Sequence, residues 1–299
     1  MDDLDQWNRR IIAVCNQKGG VLKTSVVANE AALLAWLGYK VLVVDWDPQA
    51  NIGLDLGIQQ KGQDDDGRGI TNSILFGDEL VPLKDVRPNL DVIPSGEIAK
   101  RIVMHLANEL STKGTRGKGA LGRALAPLAP RYDMIIIDCP PGDSILQDEA
   151  LSVAKWLLLV TKPDLGSRKG LSKMAIRIEH AQDTNPDLEI LGTVITDVGS
   201  SSTLIREQVR AWLVNLFGNS APVFTPIVRH LESAALITRE QGKVAVEISP
   251  ALLSMTGDSF EPVTSLDKLA GDYLAIANQI IDVINEAETK AEQLQAGGK

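Results

Sequence analysis

Short apolar runs rich in β-branched residues alternate along this chain with longer stretches whose apolar positions repeat every three to four residues. The short runs are Ile11–Cys15, Val41–Val44, Leu90–Ile93, Met134–Ile137, Trp156–Thr161, Ile190–Thr196 and Val223–Ile227. They are nearly continuous in apolar residues, which predicts strands covered on both faces, as in a parallel sheet. Residues 24–37 place Val27, Leu33, Leu34 and Leu37 at helical spacing, and Gly38 is suited to end that helix. Residues 203–217 do the same with Leu204, Ile205, Val209, Trp212, Leu213 and Leu216 before Gly218, and 266–287 reads as a last helix. This alternation predicts an α/β fold: a doubly wound, mostly parallel sheet with helices on both faces. Residues 60–68 and 111–119 read as exposed loops, and neither is long enough to divide the chain. The expectation is one domain over 1–287 and a polar tail over 288–299.

Composition narrows the function classes. The chain has 299 residues, 44% of them hydrophobic, and a formal net charge of −9. That charge excludes a uniformly basic surface that coats nucleic acid, though not a local basic patch. The two cysteines, Cys15 and Cys139, sit in separate apolar runs without a CxxC pair, so buried free thiols are expected rather than a disulfide framework or a zinc site. The opening "MDDLDQWNRR" is charged, unlike a signal peptide, and no apolar run reaches the roughly 18 residues of a membrane span. A cytoplasmic protein is expected.

The chemistry concentrates in "NQKGGVLKTS", residues 16–25, between the first strand and the first helix. A helix start offers unpaired N–H groups and a partial positive charge, and a glycine turn lets the backbone approach an anion. Gly19 and Gly20 supply the turn, Lys23 a charge for β- and γ-phosphates, and Thr24 a hydroxyl for magnesium. The general form G-x-x-x-x-G-K-[ST] is not met, because Gln17 and Leu22 stand at its glycine positions. Taken alone, the stretch is also compatible with a glycine-rich surface turn. Two further segments weigh against that: "VLVVDWDPQAN", a strand ending in Asp45 and Asp47, and "YDMIIIDCPPG", a strand ending in Asp138. Either aspartate alone suits a helix cap or a turn. Together, at strand ends in this order, they mark the ligand edge of an open α/β sheet and a place for a magnesium-bound water.

These segments resemble the ParA/MinD group of deviant P-loop NTPases. Its loop form x-K-G-G-x-x-K-[ST] is met by "QKGGVLKT", and "VLVVDWDPQANIGLDLGI", "NLDVIPSG", "LLLVTKPDLGSRKGL", "ILGTVITDVGSSSTLIREQV" and "TPIVRHLESAALITREQGKVAVE" resemble later parts of ParA partition proteins. The short stretch before the loop resembles the small type without an N-terminal helix-turn-helix domain. The resemblance implies an ATPase, with ATP and Mg2+ as cofactors. Lys18 would reach the phosphates of a partner subunit in an ATP-sandwich homodimer, while Lys23 serves its own. Gly19, Gly20, Val21, Leu22, Lys23, Thr24 and Ser25 would wrap the phosphates, Asp47 would orient the attacking water, and Thr24, Asp45, Asp47 and Asp138 would support the metal and its waters. Pro226 would lie near the base. Leu22 is expected to keep φ below zero, as suits a leucine.

The resemblance further implies DNA segregation: an ATP dimer on non-specific DNA, associated with the nucleoid and reset by hydrolysis with a ParB-like centromere-binding partner. Phosphate contacts need local cations, for which the candidates are Arg168, Lys169, Lys173, Arg206, Arg210, Arg229 and Arg239, with Arg177 beside them. A second basic stretch holds Lys100, Arg101, Lys113, Arg116, Lys118 and Arg123. A MinD-like membrane-positioning ATPase is the alternative, but it needs a basic amphipathic C-terminal helix. The last helix is acidic instead, and its Leu274, Ile281 and Ile284 stripe reads as core packing, so no membrane contact is expected. An iron–sulfur relative is disfavoured because both cysteines lie in strands expected to be buried.

Overall fold

Every one of the apolar runs forms a strand, and all join one sheet. The computed structural model describes residues 10–114, 118–198, 203–218, 222–255, 260 and 262–297, without the side chains of 203, 206, 232–236 and 295–297. In chain order the first half contains β1 (Ile11–Cys15), α1 (Lys23–Trp36), β2 (Val41–Asp45), α2 (Asn51–Asp55), α3 (Arg68–Phe76), β3 (Leu83–Arg87), β4 (Leu90–Ile93), α4 (Lys100–Lys113), α5 (Ala120–Leu125) and β5 (Met134–Asp138). The second half contains α6 (Ser144–Val153), β6 (Trp156–Thr161), α7 (Leu165–Gln182), β7 (Glu189–Val198), α8 (Thr203–Phe217), β8 (Val223–Arg229), α9 (Glu232–Gln241), α10 (Ala245–Ile248), α11 (Pro250–Leu253) and α12 (Ser265–Gly297).

The strand order is β3-β4-β2-β5-β1-β6-β7-β8, parallel throughout except for β3 against β4. β1 therefore sits in the middle, with β5 on one side and β6 on the other. Alternate residues of each strand feed opposite core layers. Ile12 and Val14 of β1, with Val41 and Val43 of β2, pack with α1 and α12 on one face. Ile11, Ala13 and Cys15, with Leu42 and Val44, pack with α4 to α8 on the other. Both faces being covered explains why these strands read as unbroken apolar runs.

Helix α1 is wedged between the sheet and α12, so apolar residues surround it almost completely, from Val26 to Ala35. Its end matches the expectation: Gly38 follows with φ 99°, in the left-handed region.

Three features depart from expectation. β3, "LKDVR", is an unanticipated strand: only Leu83 and Val86 are apolar, because an edge strand needs no second buried face. Residues 111–113, expected in a loop, complete α4. The last helix does not stop at 287 but runs to Gly297, so most of the expected tail is helical. Glu288 in that extension pairs with Arg10 just before β1, Oε2 to Nη2 2.6 Å. The stripe on α12 is core as expected, with Ile284 buried and Leu274 and Ile281 packed against it.

Candidate functional site

The carboxyl ends of β1, β2 and β5 lie side by side, and the loop 16–22 rises from β1 between β5 and β6. Asn16, fully buried, anchors it: its Nδ2 donates to the Val160 carbonyl (2.6 Å) and its Oδ1 accepts from the Lys18 N–H (3.0 Å). Gln147 of α6 donates to the carbonyls of Asn16 (3.2 Å) and Pro140 (2.7 Å), and Gln17 donates to Gln147 Oε1 (2.6 Å). Gly170 of α7 packs so closely that a Cβ there would stand 2.9 Å from Asn16 Oδ1. The loop is thus pinned on both flanks before it reaches Gly20, whose φ of 71° turns the chain in open space.

Leu22 corrects a sequence expectation. It adopts φ 66°, ψ 24°, the left-handed conformation, and not φ below zero. Glycine, which the general phosphate-loop pattern has at this position, takes that conformation without a steric penalty. For leucine the conformation costs roughly 1–2 kcal/mol. Neighbouring bonds hold it: the Leu22 carbonyl accepts from the Val26 N–H (2.9 Å), and the Val21 carbonyl accepts from the Thr196 hydroxyl (2.9 Å). Leu22 gives α1 no side-chain cap, so the N–H groups of the first turn have no side-chain acceptor from that position.

Lys23, only 6% exposed, curls beneath the loop with Nζ 3.4 Å from the Lys18 carbonyl. The Thr24 hydroxyl donates to Asp138 Oδ2 (2.8 Å). Asp138 and Asp45 are direct cross-strand partners in the register of β5 and β2. Both are buried, and each keeps one carboxylate oxygen without a hydrogen-bond partner, Asp138 Oδ1 and Asp45 Oδ2. Burial pushes the Asp138 carboxyl up to about 7, although the Thr24 hydroxyl and the Lys23 charge pull it down. Burial, then the facing Asp138 and Asp47, holds Asp45 well above the carboxylate range. Asp47, nearly buried, accepts from the Gln49 N–H (2.9 Å) and is also raised, mainly by burial.

Among the described residues no cluster of three or more His, Cys, Asp and Glu side chains converges as a metal site. Asp45, Asp47 and Asp138 are therefore not a direct ligand cage. The arrangement fits magnesium in its usual protein form, in which the ion keeps several waters and takes one or two carboxylates alongside phosphate. The two orphaned carboxylate oxygens and the Thr24 hydroxyl are such a set.

Lys18 lies apart from this cluster. Its Nζ pairs with both carboxylate oxygens of Asp164 (2.7 and 2.6 Å), and Asp164 also caps α7 by accepting from the Ser167 N–H (2.8 Å). Beside the loop, a cavity of about 180 Å³ is lined by Leu22, Ser25, Asp55, Lys162, Asp197 and Val228 among others, at the carboxyl ends of β6, β7 and β8. Pro226 lies on edge strand β8 but does not line that cavity, whose β8 contribution is Val228–Arg229 followed by His230 and Leu231.

A family model described as an AAA domain matches residues 9–190. The chromosome partitioning protein ParA of Myxococcus xanthus is 36% identical over 211 residues, which cover 68% of this chain and 71% of that one. This chain is a member of the ParA family. The sporulation initiation inhibitor protein Soj of Bacillus subtilis is 34% identical over 211 residues, covering 68% of this chain and 79% of its own. Among solved structures, the cobyrinic acid a,c-diamide synthase of Mycobacterium smegmatis with bound ATP analog and magnesium superposes with a TM-score of 0.64, at 27% identity over 85% of this chain and 99% of that one.

The basic residues of this ParA-family chain do not form one face. Arg168, Lys169 and Lys173 are exposed on α7, and Arg210 is exposed on α8. The Arg168 guanidinium lies 5.4 Å over the Trp212 ring of α8, joining the two helices. Arg229 instead grips Asp272 of α12 through two bonds of 2.7 Å, and Arg239 of α9 pairs with Asp55 (3.0 Å). Arg177 is tied to Asp148. Arg206 lies outside the described side chains, and Arg116 outside the described residues. In the second basic stretch, Lys100 pairs with Glu97 and Lys113 with Glu109.

Sequence reasoning overlooked Asn16, Gln147 and Asp164. Asp164 carried the signal used for Asp45 and Asp138, a carboxylate just past an apolar strand end, in "LLLVTKPD". Asn16 and Gln147 carry none, because amides that brace a loop by hydrogen bonds have no spacing rule.

Cys15 and Cys139 are free and buried, as expected. No described helix is long and apolar enough to cross a membrane.

Proposed function

We propose that the chain is a magnesium-dependent ATPase of the DNA-partition kind, which forms a dimer around ATP, binds non-specific DNA in that state and is reset by hydrolysis with a centromere-binding partner. One observation carries the reading: the buried Lys23 and the Thr24–Asp138 hydrogen bond stand at the start of α1, beside two unpartnered carboxylate oxygens. Cation and anion chemistry meet there at the opening of a helix, as a metal–triphosphate pair requires. The ATP analog and magnesium of the related M. smegmatis enzyme support the choice of ligand.

Bound magnesium would neutralise charge on the phosphates and polarise the transferring group. Thr24 and Asp138 would hold it, directly or through water, with Asp45 behind. The remaining work belongs to the chain. Backbone N–H groups of 19–24 orient the phosphates, and Lys23 swings from the Lys18 carbonyl to meet them. Asp47, two residues past Asp45, positions a water for attack. Lys18 must leave Asp164 to reach the phosphates of a partner subunit, so the dimer forms only once that ion pair opens. The exposed cations Arg168, Lys169, Lys173 and Arg210 on α7 and α8 form the DNA face. The ParA and Soj names of the relatives support partition as the role.

Calorimetry with Mg-ATP tests the reading. The parent is expected to bind and Lys23→Ala to lose at least tenfold in affinity, with turnover rising when DNA and the partner are added. Equal affinity in parent and Lys23→Ala would refute it.

A further inference from the structure

The general phosphate-loop pattern has glycine immediately before its lysine; this chain has Leu22 before Lys23. The left-handed backbone at Leu22 is the one a glycine would adopt, and it is held by the bonds at the Leu22 and Val21 carbonyls. A glycine can therefore take the same path without strain. What differs is the side chain. Of residues 16–22, Leu22 alone lines the cavity at the ends of β6–β8, which Lys162, Asp197 and Val228 also line. A ligand whose phosphates sit on the start of α1 and whose remainder enters that cavity meets this side chain at the cavity wall, beside Ser25.

We infer that Leu22 sets the affinity of the site: it stands as a bulky stop between the phosphate cradle and the adjoining cavity, and lowers occupancy by nucleoside triphosphate relative to a glycine loop. The inference rests on the nucleotide reading of the site. It assigns the effect to side-chain volume and not to backbone shape. Leu22 is only partly buried, so the fold does not need it as a core residue.

The test measures the Mg-ATP dissociation constant by calorimetry for the parent, Leu22→Ala and Leu22→Gly, with a thermal melt of each in the absence of nucleotide. Leu22→Ala keeps the left-handed strain and removes most of the bulk. Leu22→Gly removes both. The expected result is at least tenfold tighter binding for Leu22→Gly, with Leu22→Ala capturing much of that gain, and cooperative melts for all three. Equal or weaker binding in both variants overturns the inference while leaving the nucleotide reading intact. A gain confined to Leu22→Gly also overturns it, since the backbone would then be the cause. Absence of binding in all three proteins, with cooperative melting retained, overturns the nucleotide reading itself.

Discussion

Two residues, one at the N-cap of α1 and one inside it, are at odds with their surroundings, and the two differ in kind. Leu22 is strained where the turn needs glycine. Glu30 is 1% exposed in the middle of the helix, with neither carboxylate oxygen hydrogen-bonded. Burial alone drives its carboxyl well above the ordinary range. The Tyr273 phenol on α12 is itself raised, first by burial and then by the Glu30 charge. Because the folded-state value lies above the unfolded one, the native protein binds the extra proton. Stability is then full below the ordinary carboxylate range and is lost as pH rises through the raised value. Glu30→Gln is expected to raise the thermal midpoint more at about pH 8 than at about pH 5, by roughly 2–4 °C for each kcal/mol relieved. Melts of both proteins across that range check it. A constant offset would mean that Glu30 does not titrate there.

At the scale of elements, the loop works because three of them clamp it. β6 holds Asn16, α6 holds Gln17 through Gln147, and α7 supplies the close approach at Gly170 while its N-cap, Asp164, holds Lys18. Asp164→Asn keeps an N-cap of equal quality on α7 but removes the charge that holds Lys18. The pair is more than a third exposed on both sides, so its net worth is about 1 kcal/mol or less. Sedimentation in Mg-ATP is expected to show dimerisation strengthened by roughly fivefold or less, and no strengthening would mean that Asp164 does not restrain Lys18. Gly170→Ala drives a methyl group into Asn16 and is expected to weaken Mg-ATP binding severalfold, readable by the same calorimetry.

These elements were legible in the sequence to the degree that they are buried on both faces. The strands from Ile11 to Ile227 announced themselves as apolar runs, and the strand-end aspartates marked the ligand edge. β3 did not, because an edge strand with Lys84 and Asp85 outward has no such run. The end of α12 was hidden because beyond Ala287 it packs no further apolar residue on the core, and its polar residues look like a tail. The sign of φ at Leu22 was misjudged because residue preference was weighed above the turn that the loop imposes.

At the scale of the whole molecule, the proposed DNA contact of a chain of net charge −9 falls on the exposed cations of α7 and α8. Lys169→Ala and Lys173→Ala are each expected to weaken DNA binding and to reduce the slope of log K against log salt by about 0.7–0.9. Arg229→Ala is expected to leave that slope unchanged and to lower stability instead, since Arg229 is committed to Asp272. Filter binding across a salt series separates the two outcomes.

The central place of β1 also sets an order of events during synthesis. Its neighbours β5 and β6 end at Asp138 and Thr161, and α12, which sheathes α1, begins only at Ser265. Synthesis therefore delivers the phosphate loop before the strands on either side of it, and before the helix that covers α1. Such distant pairing makes for slow assembly. The loop thus gains the bonds that pin it only after the segments carrying Val160 and Gln147 have been made.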